Sequence, residues 1–371
     1  MRGLTSMALL VSTLILLAIA QANASFSALL EAVDENAMEL AVNEAVATAI
    51  ENEDAINVLE TAANEFRSKR LTFSDGEPKL SVFYQHIVMV VGRTEGQTLL
   101  EQWSKRFPNS PAPSVIEAVG QLHVNFGNLS YSLIGNVQTQ DRHVDQTQLG
   151  AVVELLNNAK DLAGSDPYWY VAMARARLIL ERDDVGFKSM IKEGIAKEPR
   201  FFELYDVATD YFLPKWYGSS EALENWTREI ADTAPEDLRG AVYARMYWRA
   251  FRVNYGMQFF EQSHVDWERF KAGFQTLIEG HRAPAYWSNF AMIACLAGDH
   301  EETRRIMKLH SDPPHLDGVY SQDERESCRK WAMKSEWEVW IDDKLAVGWE
   351  AVRSLVYNYV GVALPQLAPQ N

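Results

Sequence analysis

The sequence predicts an all-α protein, a set of tetratricopeptide-like helical-hairpin repeats forming an α-solenoid, and three observations carry that expectation. Between chain breakers nearly every segment places its apolar residues at helical spacing, while the two-residue alternation of half-buried strands is scarce. From Asp166 onward, helical segments of about 12 to 18 residues alternate with short breaks, several of which hold a proline. Pro199 and Pro235 lie 36 positions apart, close to the unit of roughly 34 residues of tetratricopeptide-type helix pairs.

The chain opens on "MRGLTSMALLVSTLILLAIAQANAS", with Arg2 ahead of an apolar run and small residues at Ala22 and Ala24. That is the three-part layout of a secretory signal, residues 1–24, cut after Ala24. The apolar run is short of the roughly 20 residues of a membrane span, so an uncleaved N-terminal anchor is the second reading, and no span is expected after cleavage. The expected location is secreted or periplasmic. Residues 25–73 follow as alanine- and glutamate-rich helices, with Leu29, Leu30, Val33, Ala37 and Met38 on one stripe, ended by the turn "SDGEP" at 74–78. Residues 74–165 form a further helical region, in which "TLLEQWSKRFPNSP" closes a helix near Pro108.

The repeats occupy 166–360. "PYWYVAMARARLILERD" pairs with "DVGFKSMIKEGIAKEP", "RFFELYDVATDYFLP" with "SSEALENWTREIADTAP", "EDLRGAVYARMYWRAFRV" with "DWERFKAGFQTLIEG", and "PAYWSNFAMIACLAGD" with "HEETRRIMKLH". Each pair is amphipathic and cannot bury its stripe alone, so it must lean on the next. Gly298 and Asp299 supply the tight turn of the last pair. "KLAVGWEAVRSLVYNYVGVAL" is expected as a capping helix, and 361–371 as a flexible tail.

Charge and cysteine usage bound the function. With 51 acidic against 35 basic side chains the chain repels a polyanion, which argues against nucleic acid as a partner. Export places its two cysteines, Cys295 and Cys328, in an oxidising compartment, where they are expected to join as a disulfide. Two buried thiols are the alternative.

The stretch "YFLPKWYGSSEALENW" concentrates the candidate binding residues. Pro214 stops a helix, Gly218 permits a turn, and Ser219 or Ser220 caps the next helix. Trp216 and Tyr217 then either pack over the turn or form a ligand platform, with Trp169, Asp166, Asp210 and Glu224 as companions. The remaining aromatics, Tyr168, Tyr170, Tyr247, Trp248, Trp287, Trp331, Trp337 and Trp340 among them, are expected mostly between helices. "HSDPPHLDG", with His310, Asp312, His315 and Asp317, comes nearest to a metal set but has no helical i, i+4 pair, so neither metal nor cofactor is expected. Nucleophile elbow, phosphate loop, dinucleotide fingerprint and zinc-protease helix are all missing from the sequence.

In order along the chain, "FRSKRLTFSDGEPKLSVFY", "WSKRFPNSP", "DPYWYVAMA", "YFLPKWYGS", "CLAGDH" and "SCRKWA" resemble a bacterial family of tetratricopeptide-like proteins, domain-of-unknown-function family four-thousand-and-thirty-four. The resemblance runs from about Phe66 to Ala332, with Leu-Pro-Lys-Trp-Tyr-Gly at 213–218 as its most specific part. It implies a helical-repeat protein without an assigned activity and supplies no catalytic residue. The leading functional expectation is an exported scaffold that binds a peptide, protein segment or envelope component. The second is a glycan hydrolase or lyase on a ring of helices, with Asp166, Asp210 and Glu224 as acid and base beside Trp169 and Trp216. Retaining chemistry there needs carboxyl groups about 5 Å apart, and inverting chemistry about 6.5 to 9.5 Å.

Overall fold

A computed structural model describes residues 23–74, 76–91, 94–126, 146–180, 183–216, 218–280, 284–309, 321–339 and 341. Residues 1–22 of the signal expected over 1–24, the His310–Asp317 loop, Trp340 and the expected capping helix with its tail lie outside them. The protein is all-helical. Among the described residues there is no strand, only an isolated antiparallel bridge between Thr72 and Pro78. No described helix is long and apolar enough to cross a membrane.

The described residues fall into two compact units, one drawn from Met1–Asn254 with Glu268–Arg282, the other from Tyr255–Trp267 with Ala283–Asn371. The first begins with α1 at 23–31 and α2 (Glu35–Glu51), which starts where the Asp34 carboxylate accepts the Ala37 N–H at 2.8 Å. Helix α2 buries Met38, Ala41, Val42, Ala45, Val46 and Ala49, the 3–4 spacing of one helical face. After it come α3 (Ile56–Lys69), α4 (Lys79–Val91), α5 (Thr94–Arg106), α6 (Ala112–Phe126), α7 (Gln146–Asn158) and the single turn α8 (Lys160–Ala163). The predicted stop at Pro108 is observed two residues past the end of α5.

The segments expected to pair from Asp166 onward are α9 (Pro167–Ile179), α10 (Asp184–Lys197), α11 (Glu203–Phe212), α12 (Ser220–Thr233) and α13 (Arg239–Ala250). Helix α9 packs on α10 and α11, and α11 packs on α10, α12 and α13. One helix reads differently from its sequence. The run ending in "RAFRV" is not α-helical to its end; α13 stops at Ala250 and continues as a π turn over Phe251–Tyr255. Lys215 donates to the Val253 carbonyl there at 2.7 Å. A π turn displaces the regular i to i−4 pairing, and a cation supplied from outside the helix satisfies a carbonyl within it. Helix α15 (Trp267–Gly280), from Glu268 on, completes this unit; the short α14 (Phe259–Gln262) belongs to the second.

The second unit packs α16 (Pro284–Leu296), α17 (His300–Leu309) and α18 (Gln322–Met333) against one another. Gly298 makes the predicted turn, in the left-handed conformation at φ +72°, and Asp299 caps α17 by accepting the Glu302 N–H at 3.0 Å. The expected disulfide is present: Cys295 on α16 and Cys328 on α18 are bonded, with their Cα atoms 5.9 Å apart.

Candidate functional site

Each predicted carboxylate is built into a helix contact. Asp166 precedes Pro167, a residue suited to the first helical position because it has no N–H to leave unsatisfied. It is fully buried and caps α9 by accepting the Tyr168 N–H at 2.9 Å. Its other oxygen accepts from Arg67 Nε at 2.8 Å and from the Tyr84 hydroxyl at 2.7 Å. The Arg67 guanidinium also donates to Tyr84 at 2.8 Å, so three helices, α3, α4 and α9, meet on one carboxylate. Burial opposes the Arg67 charge, yet Tyr84 and Asp166 beside it hold its pKa raised.

Asp210 is buried on α11 and takes two parallel bonds from Arg249 on α13, at 3.0 and 2.8 Å. One turn back, Asp206 takes the same pair of bonds from Arg245, at 2.9 and 2.6 Å. At the start of α11, Glu203 pairs with Arg175 of α9 at 2.7 Å, and burial pushes its carboxyl up. Glu224 accepts from Arg228 one turn on and from the hydroxyls of Tyr243 and Tyr247. Asp166, Asp210 and Glu224 therefore have three separate sets of partners, and none of those partners is shared.

Most of the predicted aromatics that the structure describes sit inside, with Trp287 and Trp331 half-buried and Trp337 at the surface. Trp169 is 2% exposed and donates from its indole to the Leu156 carbonyl at 2.9 Å. Trp216 is 4% exposed, in a 3-10 turn over Pro214–Trp216. Tyr217 lies outside the described residues. The turn itself is locked: the Trp216 and Gly218 N–H groups both donate to the Leu213 carbonyl, at 2.9 and 3.1 Å. A Cβ at Gly218 would stand 2.0 Å from the Phe212 carbonyl oxygen, so this glycine is needed for close approach. Ser219 is the cap, accepting the Ala222 N–H at 3.0 Å. Tyr168, Tyr170, Tyr247 and Trp248 are buried; Trp337 is exposed.

The residue of this turn that the sequence did not single out is Lys215. Burial pushes its ammonium down to about 8; Asp210 nearby works against that fall and Arg249 adds to it. Its signal in the sequence is slight, a cation between a proline and a tryptophan.

A cleft of about 250 Å³ lies elsewhere, where the end of α3, the 71–80 segment, the start of α9 and the end of α10 converge. Phe66, Leu80, Pro167 and Phe201 give it an apolar lining, and Arg70, Glu198 and Arg200 stand at its rim. Arg70 is the C-cap of α3 in the left-handed conformation at φ +52°, the one non-glycine residue with positive φ among the described residues. It donates to both oxygens of Glu198, at 2.5 and 2.7 Å, and those bonds raise its pKa. Arg200 pairs with Asp237. The opposite wall is pinned by the Thr72–Pro78 bridge, the Phe73 N–H donating to Glu77 O at 2.9 Å, and Lys79 donating to the Leu30 carbonyl at 2.7 Å. The sequence signals were "FRSKR", three cations after Phe66, and "EPRFF", one cation before two aromatics, in an acidic chain, and only the fold brings them together.

Fold and site define an all-helical, disulfide-bonded protein whose buried carboxylates are consumed in joining helices, with an arginine-rimmed apolar cleft in its first unit. No family model, curated protein or solved structure matches the chain. Among the described residues no group of three or more His, Cys, Asp or Glu is placed to hold a metal ion.

Proposed function

We propose that this chain is an exported binding scaffold, in which tetratricopeptide-like hairpins stack as an α-solenoid to take up a peptide or protein segment. The observation that carries the reading is an offset shared by five ion pairs of the first unit between α10 and α15, which the Arg175–Glu203 pair of α9 and α11, 28 apart, does not share. Lys192–Glu229, Arg200–Asp237 and Arg269–Asp232 each join residues 37 apart, and Arg245–Asp206 and Arg249–Asp210 join residues 39 apart. A near-constant offset is what repeated helix pairs generate when each contacts its neighbour in the same way. The packing of α9 on α11 and of α11 on α13 supports the same arrangement.

Export is part of the proposal. The Cys295–Cys328 bond supports it, since such bonds persist in oxidising compartments, and the N-terminal signal pattern points the same way. Kinship with the domain-of-unknown-function family four-thousand-and-thirty-four belongs to this reading too, and rests on the residues quoted for it.

The test is a titration of the mature chain with a panel of extended peptides blocked at both ends, followed by hydrogen exchange. Slowed exchange of amides in α9 to α13 on saturation is expected. A panel with no saturable binder, together with turnover of a glycan substrate, contradicts the scaffold and favours the second reading.

A further inference from the structure

The cleft beside Arg70 has two properties that together select a ligand. Its interior is apolar: Phe66, Leu80, Pro167 and Phe201 surround a volume suited to one aromatic or large aliphatic group. Its rim carries two guanidiniums, Arg70 and Arg200, each paired with one carboxylate, in a chain of net charge −16. Arg70 and Arg200 are 62% and 64% exposed, and each is held by a single carboxylate, Glu198 or Asp237. The Arg200–Asp237 pair, open to water on both sides, is weak, so an incoming carboxylate can take the place of Asp237 at little cost, while Arg70 keeps its two bonds to Glu198. The guanidinium fork of Arg70 uses Nε and Nη2 on Glu198, which leaves Nη1 as a donor toward a second anion.

The backbone at Arg70 adds an independent reason. A left-handed C-cap is the position at which glycine is preferred, because a Cβ there is crowded. Holding an arginine at φ +52° costs stability that glycine would restore, and strain of this kind gathers at functional positions. What the strained residue contributes is its side chain, directed across the cleft mouth to Glu198.

We propose that this cleft binds an apolar carboxylate, with the hydrocarbon or aromatic body inside and the carboxylate on Arg70 and Arg200. Two sources share that chemistry: the C-terminal residue of a peptide and a small free acid. The inference rests on the scaffold reading and names what one of its sites takes.

The experiment is calorimetric titration of the full mature chain with N-acetyl-phenylalanine, with the peptide Ala-Ala-Ala-Phe, and with the C-terminal amide of each. Both the wild type and Arg70→Gly are titrated. At least one free carboxylate is expected to bind at least tenfold more tightly than its amide, and Arg70→Gly to lose at least tenfold of that affinity. Because glycine suits the left-handed cap, Arg70→Gly is expected to unfold at a higher temperature than wild type, which separates lost binding from lost folding. Tighter binding of the tetrapeptide assigns the site to a chain end, and tighter binding of N-acetyl-phenylalanine to a free acid. Amides that bind as well as acids, an Arg70→Gly chain that binds like wild type, or no saturable binding by any of the four would overturn the proposal. Peptides blocked at both ends that still bind would leave the scaffold standing without it.

Discussion

Asp210 on α11 and Arg249 on α13 face each other through two parallel hydrogen bonds, with the carboxylate 1% and the guanidinium side chain 16% exposed. Such a pair is costly to bury and more costly to break, because the surviving charge has little solvent to turn to. We therefore expect Asp210→Ala to destabilise the protein by about 3 to 5 kcal/mol in urea denaturation. The double variant Asp210→Leu with Arg249→Met, which leaves no orphaned charge, should recover most of that loss.

Gly218 gives a second test. With the Phe212 carbonyl 2.0 Å from where a Cβ would be, Gly218→Ala has to push α11 and the turn apart. Overpacking of this kind costs about 1 to 3 kcal/mol, which a shift in thermal midpoint measures. Ser219→Ala, which removes only the cap, should cost about 1 kcal/mol.

Lys215 makes stability depend on pH in a defined window. Its folded-state pKa is pushed down to about 8 by burial from an ordinary 10.5. Between those values the unfolded chain holds more protons than the folded one, so stability rises with pH; below about 8 the cost of the buried charge is fully present. We expect the wild type to gain stability from pH 8 to 9.5 relative to Lys215→Met, which lacks this titration. Above about pH 10 the buried tyrosines reverse the trend. Burial pushes Tyr168 up to about 12 and Tyr84 well above its ordinary value, so the folded state then holds the extra protons.

The disulfide ties α16 to α18 across a sequence separation of 33 residues. In the chain-entropy account, opening it removes about 3 to 4 kcal/mol. Reduction, or Cys295→Ser with Cys328→Ser, should accelerate hydrogen exchange in α16, α17 and α18 most.

What could be read in the sequence was whatever depends on neighbours along the chain. Pro108, Pro214 and Pro235 fall next to helix ends, Gly298 supplies its left-handed turn, and Ser219 caps α12, because each of these effects acts over a few residues. The cysteine pair was readable because the chain has two cysteines and one way to join them. The carboxylates were not readable as helix joints, since their partners lie far along the chain: Arg67 meets Asp166 across 99 residues, and Arg70 meets Glu198 across 128. A run of aromatics and acids looks the same whether it lines a cleft or fills a core. The left-handed Arg70 and the π turn after Ala250 left no mark either, because glycine is the residue that usually announces the first and nothing local announces the second.

In the proposed scaffold α9 to α13 depend on one another, with α11 and α13 held together by Arg245–Asp206 and Arg249–Asp210, each 39 residues apart. Native-state hydrogen exchange of wild type and Arg249→Met in low denaturant tests it most directly. Losing Arg249 from α13 is expected to lower protection in α11 and α13 together, and in α9 and α12 packed against α11, as one cooperative opening. Loss confined to α13, with α11 as protected as before, would contradict it.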